Sequence, residues 1–133
     1  MILSLFPFVA QTHGVIVRVS ANFLPEQSRP SQERWFWAYH IRIENEGPSA
    51  VQLLTRYWEI RDAHGELHIV EGDGVIGEQP VIRPGASYDY VSGCPLSTSS
   101  GSMVGRYRMM DEAGSMLDIA IPAFDLRTPV VPG

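Results

Sequence analysis

The sequence is short of three things on which many proteins rely: cysteine, clustered cations and long apolar runs. Its single cysteine, Cys94, cannot form an intrachain disulfide, so the core must hold the domain together, as expected of a cytoplasmic protein. Ten cationic residues stand singly along the chain against fifteen acidic ones, which gives a formal net charge of -5. Proteins that bind nucleic acid need clustered cations to contact phosphates, so we predict no nucleic-acid partner.

The N-terminal stretch MILSLFPFVAQT contains an apolar segment, residues 2–10, which is interrupted by Pro7. A membrane-spanning helix needs about twenty residues, and a secretory signal carries a positive charge before its apolar part. We therefore predict no membrane segment. Residues 1–13 are interpreted as an N-terminal extension that packs on the domain or on a neighbouring chain, residues 14–127 as one domain, and residues 128–133 as a loosely held tail.

The rest of the chain has the pattern of strands separated by turns. Apolar and polar side chains alternate from residue 14 to 23 and, most clearly, from residue 34 to 45, where Trp35, Trp37 and Tyr39 share a face. Further alternating segments and turn residues follow up to residue 122. We predict an all-β domain of seven or eight antiparallel strands, an immunoglobulin-like or fibronectin type III-like β-sandwich, with a closed barrel as the alternative.

One predicted strand, residues 50–62, carries an arginine in phase with its apolar side chains. Its predicted inward set is Leu54, Trp58 and Ile60. Arg56 shares their phase, and a cation that faces a core needs partners. We therefore expect a β-bulge or an edge position in this strand.

The stretch EGDGVIGEQP places Gly72, Gly74 and Gly77 at the spacing G-x-G-x-x-G of a dinucleotide-binding turn. Such a turn works by opening a helix whose free N–H groups face the pyrophosphate. Two prolines and a further glycine follow shortly after Gly77, so no helix of useful length can form there. We predict instead that these glycines adopt positive φ or allow close backbone packing in a connection between strands.

Five blocks of sequence occur in a characteristic order. They are RWFWAYHIRIENEG, VQLLTRYWEIRDAHGE, VEGDGVIGEQPVIRPG, YDYVSGCPLSTSSGSMVGRYRMMDEAG and IPAFDL. In order and spacing they resemble the bacterial ApaG family, over roughly residues 15–126. The same domain is similar to the C-terminal domain of certain eukaryotic F-box proteins and of a polymerase-delta-interacting protein. The resemblance implies a fibronectin type III-like sandwich, a non-enzymatic domain that mediates protein–protein interaction, and a loose association with cobalt and magnesium efflux.

The resemblance implies an ApaG domain over residues 14–127. It also places the family's glycine motif on Gly72, Gly74 and Gly77. The candidate binding loop consists of Gly72, Gly74, Gly77, Glu78, Gln79 and Pro80. We expect an unidentified protein partner and no cofactor. Exposed aromatic side chains such as Trp35, Phe36 or Tyr57 would anchor that partner, and pairing of edge strands would decide between a monomer and a homodimer.

Two other binding functions remain open. One is a divalent metal, for which Asp62, Glu71 and Asp73 offer oxygen ligands close to His64 and His68. The histidines are separated by a turn and a strand, so their spacing carries little weight, and we predict no metal site. The other is a pyrophosphate or nucleotide held by backbone N–H groups of the glycine-rich loop.

An enzyme is the last alternative. Catalysis needs a nucleophile or metal, a base and a charge stabiliser brought together, and the sequence offers no such set. Residues 97–100 form part of a Ser- and Thr-rich loop over residues 93–101. Cys94 is expected in a turn before Pro95 with an incidental thiol. We therefore predict no catalytic residue.

Overall fold

A computed structural model describes residues 5–129, which form two antiparallel β-sheets packed face to face. The nine strands are β1 Phe8–Thr12, β2 Val15–Phe23, β3 Trp35–Asn45, β4 Val51–Asp62, β5 Leu67–Asp73, β6 Val81–Ile82, β7 Ser87–Leu96, β8 Ser100–Asp111 and β9 Met116–Arg127. One sheet has the order β1-β2-β3-β7 and the other β5-β4-β8-β9, with β6 paired to β4. The predicted all-β sandwich is confirmed, with nine strands in the described residues where seven or eight were predicted, and its finer likeness to immunoglobulin or fibronectin domains stays a prediction.

The core lies between the sheets and consists of the side chains that alternation predicts to point inward. Val15, Val17 and Val19 are fully buried on β2, and Trp37 and Ile41 on β3. On β8 and β9 the buried set also contains Met103, Tyr107, Met109, Ile119 and Ile121. Two short 3-10 turns, Pro25–Gln27 and Pro30–Gln32, lead into β3. Within residues 5–129, no helix is long and apolar enough to cross a membrane.

Strand β4 contains the predicted bulge, at a shift of its pairing with β8 between Leu53 and Thr55. The bulge corrects one part of the prediction: Leu53 is fully buried, whereas Leu54 is only partly buried. Because an extra residue reverses the alternation, the inward set comprises Leu53 before the bulge and Arg56 and Trp58 after it.

Strands β7 and β9 are longer than predicted, and both continue through a proline. The expected turn at Cys94 and Pro95 and the loop over residues 93–101 are wrong, since β7 runs to Leu96 and β8 begins at Ser100. Pro95 is tolerated because β7 is an edge strand whose other side has no ladder to complete. Strand β9 passes Pro122 at a register shift opposite Val104, which leaves the proline outside regular pairing.

The two long sides of the sandwich differ. On one side β1, a strand inside the predicted N-terminal extension, pairs with β2 and packs on β9. The rings of Phe8 and Phe124 are 6.0 Å apart, and the Ala120 N–H donates to Thr12 Oγ1 at 3.1 Å. On the other side, the edges β5 and β7 flank an opening between the sheets. We call these the closed and open sides. Residues 1–4 of the predicted extension and 130–133 of the predicted tail lie outside the described residues.

Candidate functional site

A cavity of about 670 Å³ lies on the open side of the sandwich, between the edges β5 and β7. Most of its exposed wall is apolar, and charged side chains of both signs, Glu33 and Arg34 among them, also line it. Inward side chains from five strands line it, among them Tyr39, Arg56, Trp58, Val70, Cys94 and Met103. Its size falls within the range of about 300–1,000 Å³ that is typical of sites for small ligands and short segments.

Arg56 supplies a cation to this cavity. It lies just after the β4 bulge, and its Nη1 donates to the carbonyls of Asp73 at 3.0 Å and Gly74 at 2.9 Å. A Cβ at Gly72 would lie 3.2 Å from both Nη1 and Nη2, so the first glycine of the motif leaves room for the guanidinium. The hydrogen-bond partners that an inward-facing Arg56 needs are therefore backbone carbonyls of the glycine-rich stretch.

The guanidinium has no acidic partner. No carboxylate among the described residues lies within ion-pair distance of it, although seven other ion pairs form. No buried side-chain nitrogen or oxygen among residues 5–129 lacks a hydrogen-bond partner. The N–H groups of Arg56 without a partner in this part of the chain are therefore not fully buried, and because the residue lines the cavity they are candidates for contact with a ligand.

The glycine-rich loop folds as a tight turn beside the cavity. Val75 and Glu78 exchange both backbone hydrogen bonds, at 2.8 and 2.9 Å, around Ile76 and Gly77. Both central residues have positive φ, 43° for Ile76 and 80° for Gly77, which defines a type I′ turn. Gly74 has φ 63°, and a Cβ there would lie 2.2 Å from the Glu78 carbonyl oxygen. The predicted positive φ and tight packing are confirmed, and no helix follows Gly77.

The other candidate binding residues fasten this loop to its surroundings. The Gln79 side-chain amide donates to the Leu54 carbonyl at 2.9 Å, and the Pro80 carbonyl accepts from the Leu53 N–H at 3.0 Å. The Tyr88 hydroxyl donates to Glu78 Oε2 at 2.6 Å, and burial and that carboxylate together raise the pKa of Tyr88 to about 12. The fold thus brings together the six residues of the candidate binding loop, yet most of their polar atoms form hydrogen bonds that hold the loop in place.

A pyrophosphate would find few free donors in this loop. The Gly74 N–H donates to the Leu54 carbonyl at 2.8 Å, and the N–H groups of Val75 and Glu78 bond each other's carbonyls. A phosphate-binding nest needs such groups free and convergent. The geometry therefore favours an anion at Arg56 over one on the loop backbone.

Burial governs the ionisable groups at the back of the cavity. It raises the pKa of Tyr39, Tyr90 and Tyr107 above the ordinary tyrosine value, and the Tyr90 and Tyr107 hydroxyls hydrogen-bond each other. Burial also raises the pKa of the Cys94 thiol to about 11. A thiol with such a pKa is almost entirely protonated near neutral pH, so Cys94 is a packing residue and a poor nucleophile.

Asp62, Glu66 and His68 come together at the mouth of the cavity, with candidate ligand atoms within 4.8 Å of one another. Asp62 Oδ1 accepts the N–H groups of His64 and Glu66, and His68 Nε2 lies 3.7 Å from Asp62 Oδ2. The same turn recurs between β8 and β9 around Asp111, which also accepts two N–H groups. The trio is thus largely a consequence of turn geometry, and Glu71 and Asp73 are not part of it.

The predicted aromatic anchors are only partly exposed. Phe36 lies over Gly93, where a Cβ would come 2.4 Å from its ring, and Tyr57 stacks with the Arg106 guanidinium at 4.0 Å. Large exposed apolar side chains lie elsewhere: three of them are on β5, one is Ile76, and the others are Leu5, Val9, Val81, Val91, Val104 and Met116. The sequence predicts a short strand at residues 67–71, and β5 confirms it, but period 2 reveals which face of a strand is buried and not which strand forms an edge.

Comparison with known proteins gives a consistent result. The sequence profile described as the ApaG domain matches residues 25–111. Two relatives are named Protein ApaG. The one from Brucella suis biovar 1 is 52% identical, and the match covers 92% of this chain and 94% of the relative. The one from Rhodospirillum centenum is 50% identical, and the match covers 89% of this chain and 91% of the relative. A crystal structure of a Bordetella pertussis protein described as ApaA superposes with a TM-score of 0.85 at 39% identity, covering 88% of this chain and 95% of that one.

Proposed function

The chain belongs to the ApaG domain family, and from that premise we propose that it is a non-enzymatic module which binds a protein partner along the edge of strand β5. The observation that carries the proposal is the lack of protection on this edge. Ile69 at 51% exposed, with Leu67 and Val70 beside it, presents large apolar side chains next to unpaired backbone groups. Extended segments of partners commonly add to such edges, with main-chain hydrogen bonds giving affinity.

The other three edges are guarded. β1 and β9 pack on each other across the closed side. β7 carries Pro95, which cannot donate to an added strand, and Asp89, whose carboxylate is occupied by His40 and Arg42. β5, in contrast, has seven residues without a proline or a bulge. An incoming strand would therefore meet least resistance at β5.

The absence of enzymatic activity belongs to the proposal. Its support is that the thiol of Cys94 is buried and protonated, and that Arg56 faces the cavity without a neighbouring nucleophile–base pair in the described part of the chain. Any link to cobalt or magnesium homeostasis would then be indirect, through the partner. Pairing of β5 with β5 of a second copy would make the homodimer, and a cytoplasmic location fits the single buried thiol.

The test is a pull-down from bacterial lysate with the unmodified chain, Ile69→Lys and Val91→Lys. Ile69 on β5 and Val91 on β7 are both exposed β-branched residues on the outer faces of edge strands. The two variants therefore introduce the same chemical change on two different edges. We expect a stoichiometric partner that Ile69→Lys loses and Val91→Lys keeps. Equal recovery by both variants would remove β5 as the docking edge. Light scattering on the same three proteins reports any β5–β5 dimer.

A further inference from the structure

Arg56 and the shape of the cavity indicate which kind of protein segment would bind on the open side. Resting on the function proposed above, we infer that the open side recognises the C-terminal end of an extended polypeptide, whose terminal carboxylate pairs with Arg56 while its last side chains enter the cavity. Three features carry the inference: a guanidinium without an acidic partner within residues 5–129, an elongated cavity, and an unguarded strand edge along its mouth.

The guanidinium is positioned for a carboxylate. Nη1 is occupied by the carbonyls of Asp73 and Gly74, which fixes the plane of the group, and the Nε–Nη2 side has no hydrogen-bond partner in the described part of the chain. Two parallel N–H groups on that side match the two oxygens of a carboxylate, the bidentate arrangement that arginine favours. Because the cation lies in a mainly apolar cavity, pairing with an anion gains more there than it would on an open surface.

The shape of the cavity fits an extended chain. Its lining includes Arg56 and Asp62, six residues apart on β4, a separation of about 20 Å at strand geometry. A chain of about six extended residues spans the same length. Trp58, Val70 and Met103 lie along the wall, so alternate side chains of that segment would contact apolar surface.

The position of Arg56 also fixes a direction. Arg56 lies opposite Gly72, at the end of β5 that is later in sequence, whereas His68 lies opposite Ile60 towards the other end. A segment that ends in a carboxylate at Arg56 therefore runs in the same direction as β5. Asp62 and Glu66 lie at the far end of the opening, where they disfavour a carboxylate and favour a partner segment that begins with a cationic or neutral residue.

The experiment selects binders from a random heptapeptide library displayed with free C-termini. The best binder is then synthesised as the acid and as the C-terminal amide, and both are titrated calorimetrically into the unmodified chain. N-acetyl-leucine serves as a small carboxylic acid that carries the same terminal chemistry. The acid and amide are also titrated into Arg56→Gln and into Arg61→Gln, which removes an arginine from the same strand on its outer face.

We expect the acid to bind more tightly than the amide by tenfold or more, a factor of the order seen when a charge-assisted hydrogen bond is lost. Arg56→Gln should abolish that ratio and Arg61→Gln should keep it. The acid–amide comparison needs no variant, so it stands even if Arg56→Gln unfolds.

Three results would overturn the inference. If no heptapeptide in the library binds, the open side does not recognise the C-terminal end of a polypeptide. Equal binding of acid and amide would show that the terminal carboxylate is not recognised. In that case the β5 edge would still be a docking site if Ile69→Lys loses the lysate partner. N-acetyl-leucine that binds as tightly as the heptapeptide acid would assign the cavity to small acids and remove the extended chain.

Discussion

The closed and open sides of the sandwich show two ways of ending a β-sheet. On the closed side, β1 and β9 cover each other's edges, and aromatic rings such as Phe8 and Phe124 fill the seam. On the open side, the cavity is lined by an arginine that has no carboxylate partner among residues 5–129 and by side chains of the apolar edge strand β5. Packing within the chain therefore completes one side, whereas the other exposes edge backbone groups and a cation with which a partner can bond.

Truncating one side chain on each side of the sandwich should produce losses of stability of different size. Phe124 is 2% exposed and contacts the rings of Phe8, Tyr39 and Trp58. We expect Phe124→Ala to lower the free energy of unfolding by about 4 kcal/mol, through lost transfer energy and the cavity left behind. Val70→Ala, beside the open cavity, should cost about 1 kcal/mol or less. Urea denaturation measures both, and equal losses would contradict the division into two sides.

A second test concerns the loop that holds Arg56. Gly74→Ala places a Cβ 2.2 Å from the Glu78 carbonyl oxygen at φ 63°, so we expect a loss of about 3 kcal/mol from strain and overpacking. Gly77→Ala also has positive φ, but its Cβ meets nothing within 4 Å, and about 1 kcal/mol should be lost. Thermal and urea unfolding compare the two. Similar losses would show that backbone conformation, and not close approach to Glu78, makes Gly74 necessary.

Alternation in the sequence was sufficient to predict most of the core, but not the sides. Trp37, Ile41 and Tyr107 follow from period 2 because each strand buries one face. The sequence predicts Leu54 instead of Leu53 because the phase of Arg56 indicates a bulge in the strand but not the position at which it reverses the alternation. Pro95 looked like a terminator because its tolerance depends on β7 being an edge, which is a property of strand order.

The candidate site was predictable only in fragments. The glycine spacing indicated close backbone approach, and the phase of Arg56 indicated a bulge and a need for partners. Their connection, Arg56 Nη1 on the Asp73 and Gly74 carbonyls, depends on the pairing of β4 with β5 in one particular register. Local patterns do not encode register, so the cavity and its cation became visible only in the folded chain.

The turn at the tip of the glycine-rich loop allows a gain of stability on the open side. Ile76 is 59% exposed and holds φ 43°, a conformation that a β-branched residue rarely adopts. Ile76→Asn creates the Asn-Gly pair that type I′ turns prefer, and we expect about 1 kcal/mol of added stability. Urea denaturation measures the gain, with Val81→Asn as the exposed control on an ordinary strand. A loss of stability in Ile76→Asn would show that its side chain packs productively despite its exposure.

The smallest predicted effect is the pH dependence of the turn at the mouth of the cavity. Burial acts to raise the pKa of Asp62, but the N–H groups of Glu66 and His64 and the neighbouring His68 outweigh it and hold the pKa below its ordinary value. A lowered folded-state pKa stabilises the chain above the unfolded-state value near 3.8, and this contribution is lost as pH falls through the lower folded-state pKa. The difference in unfolding free energy between the unmodified chain and Asp62→Asn should therefore shrink between pH 6 and pH 3. Asp125→Asn, an exposed aspartate beside Arg127, is the control. A difference that stays constant over this range would mean that the charge of Asp62 contributes nothing to the turn, and that its oxygen acts only as a neutral acceptor.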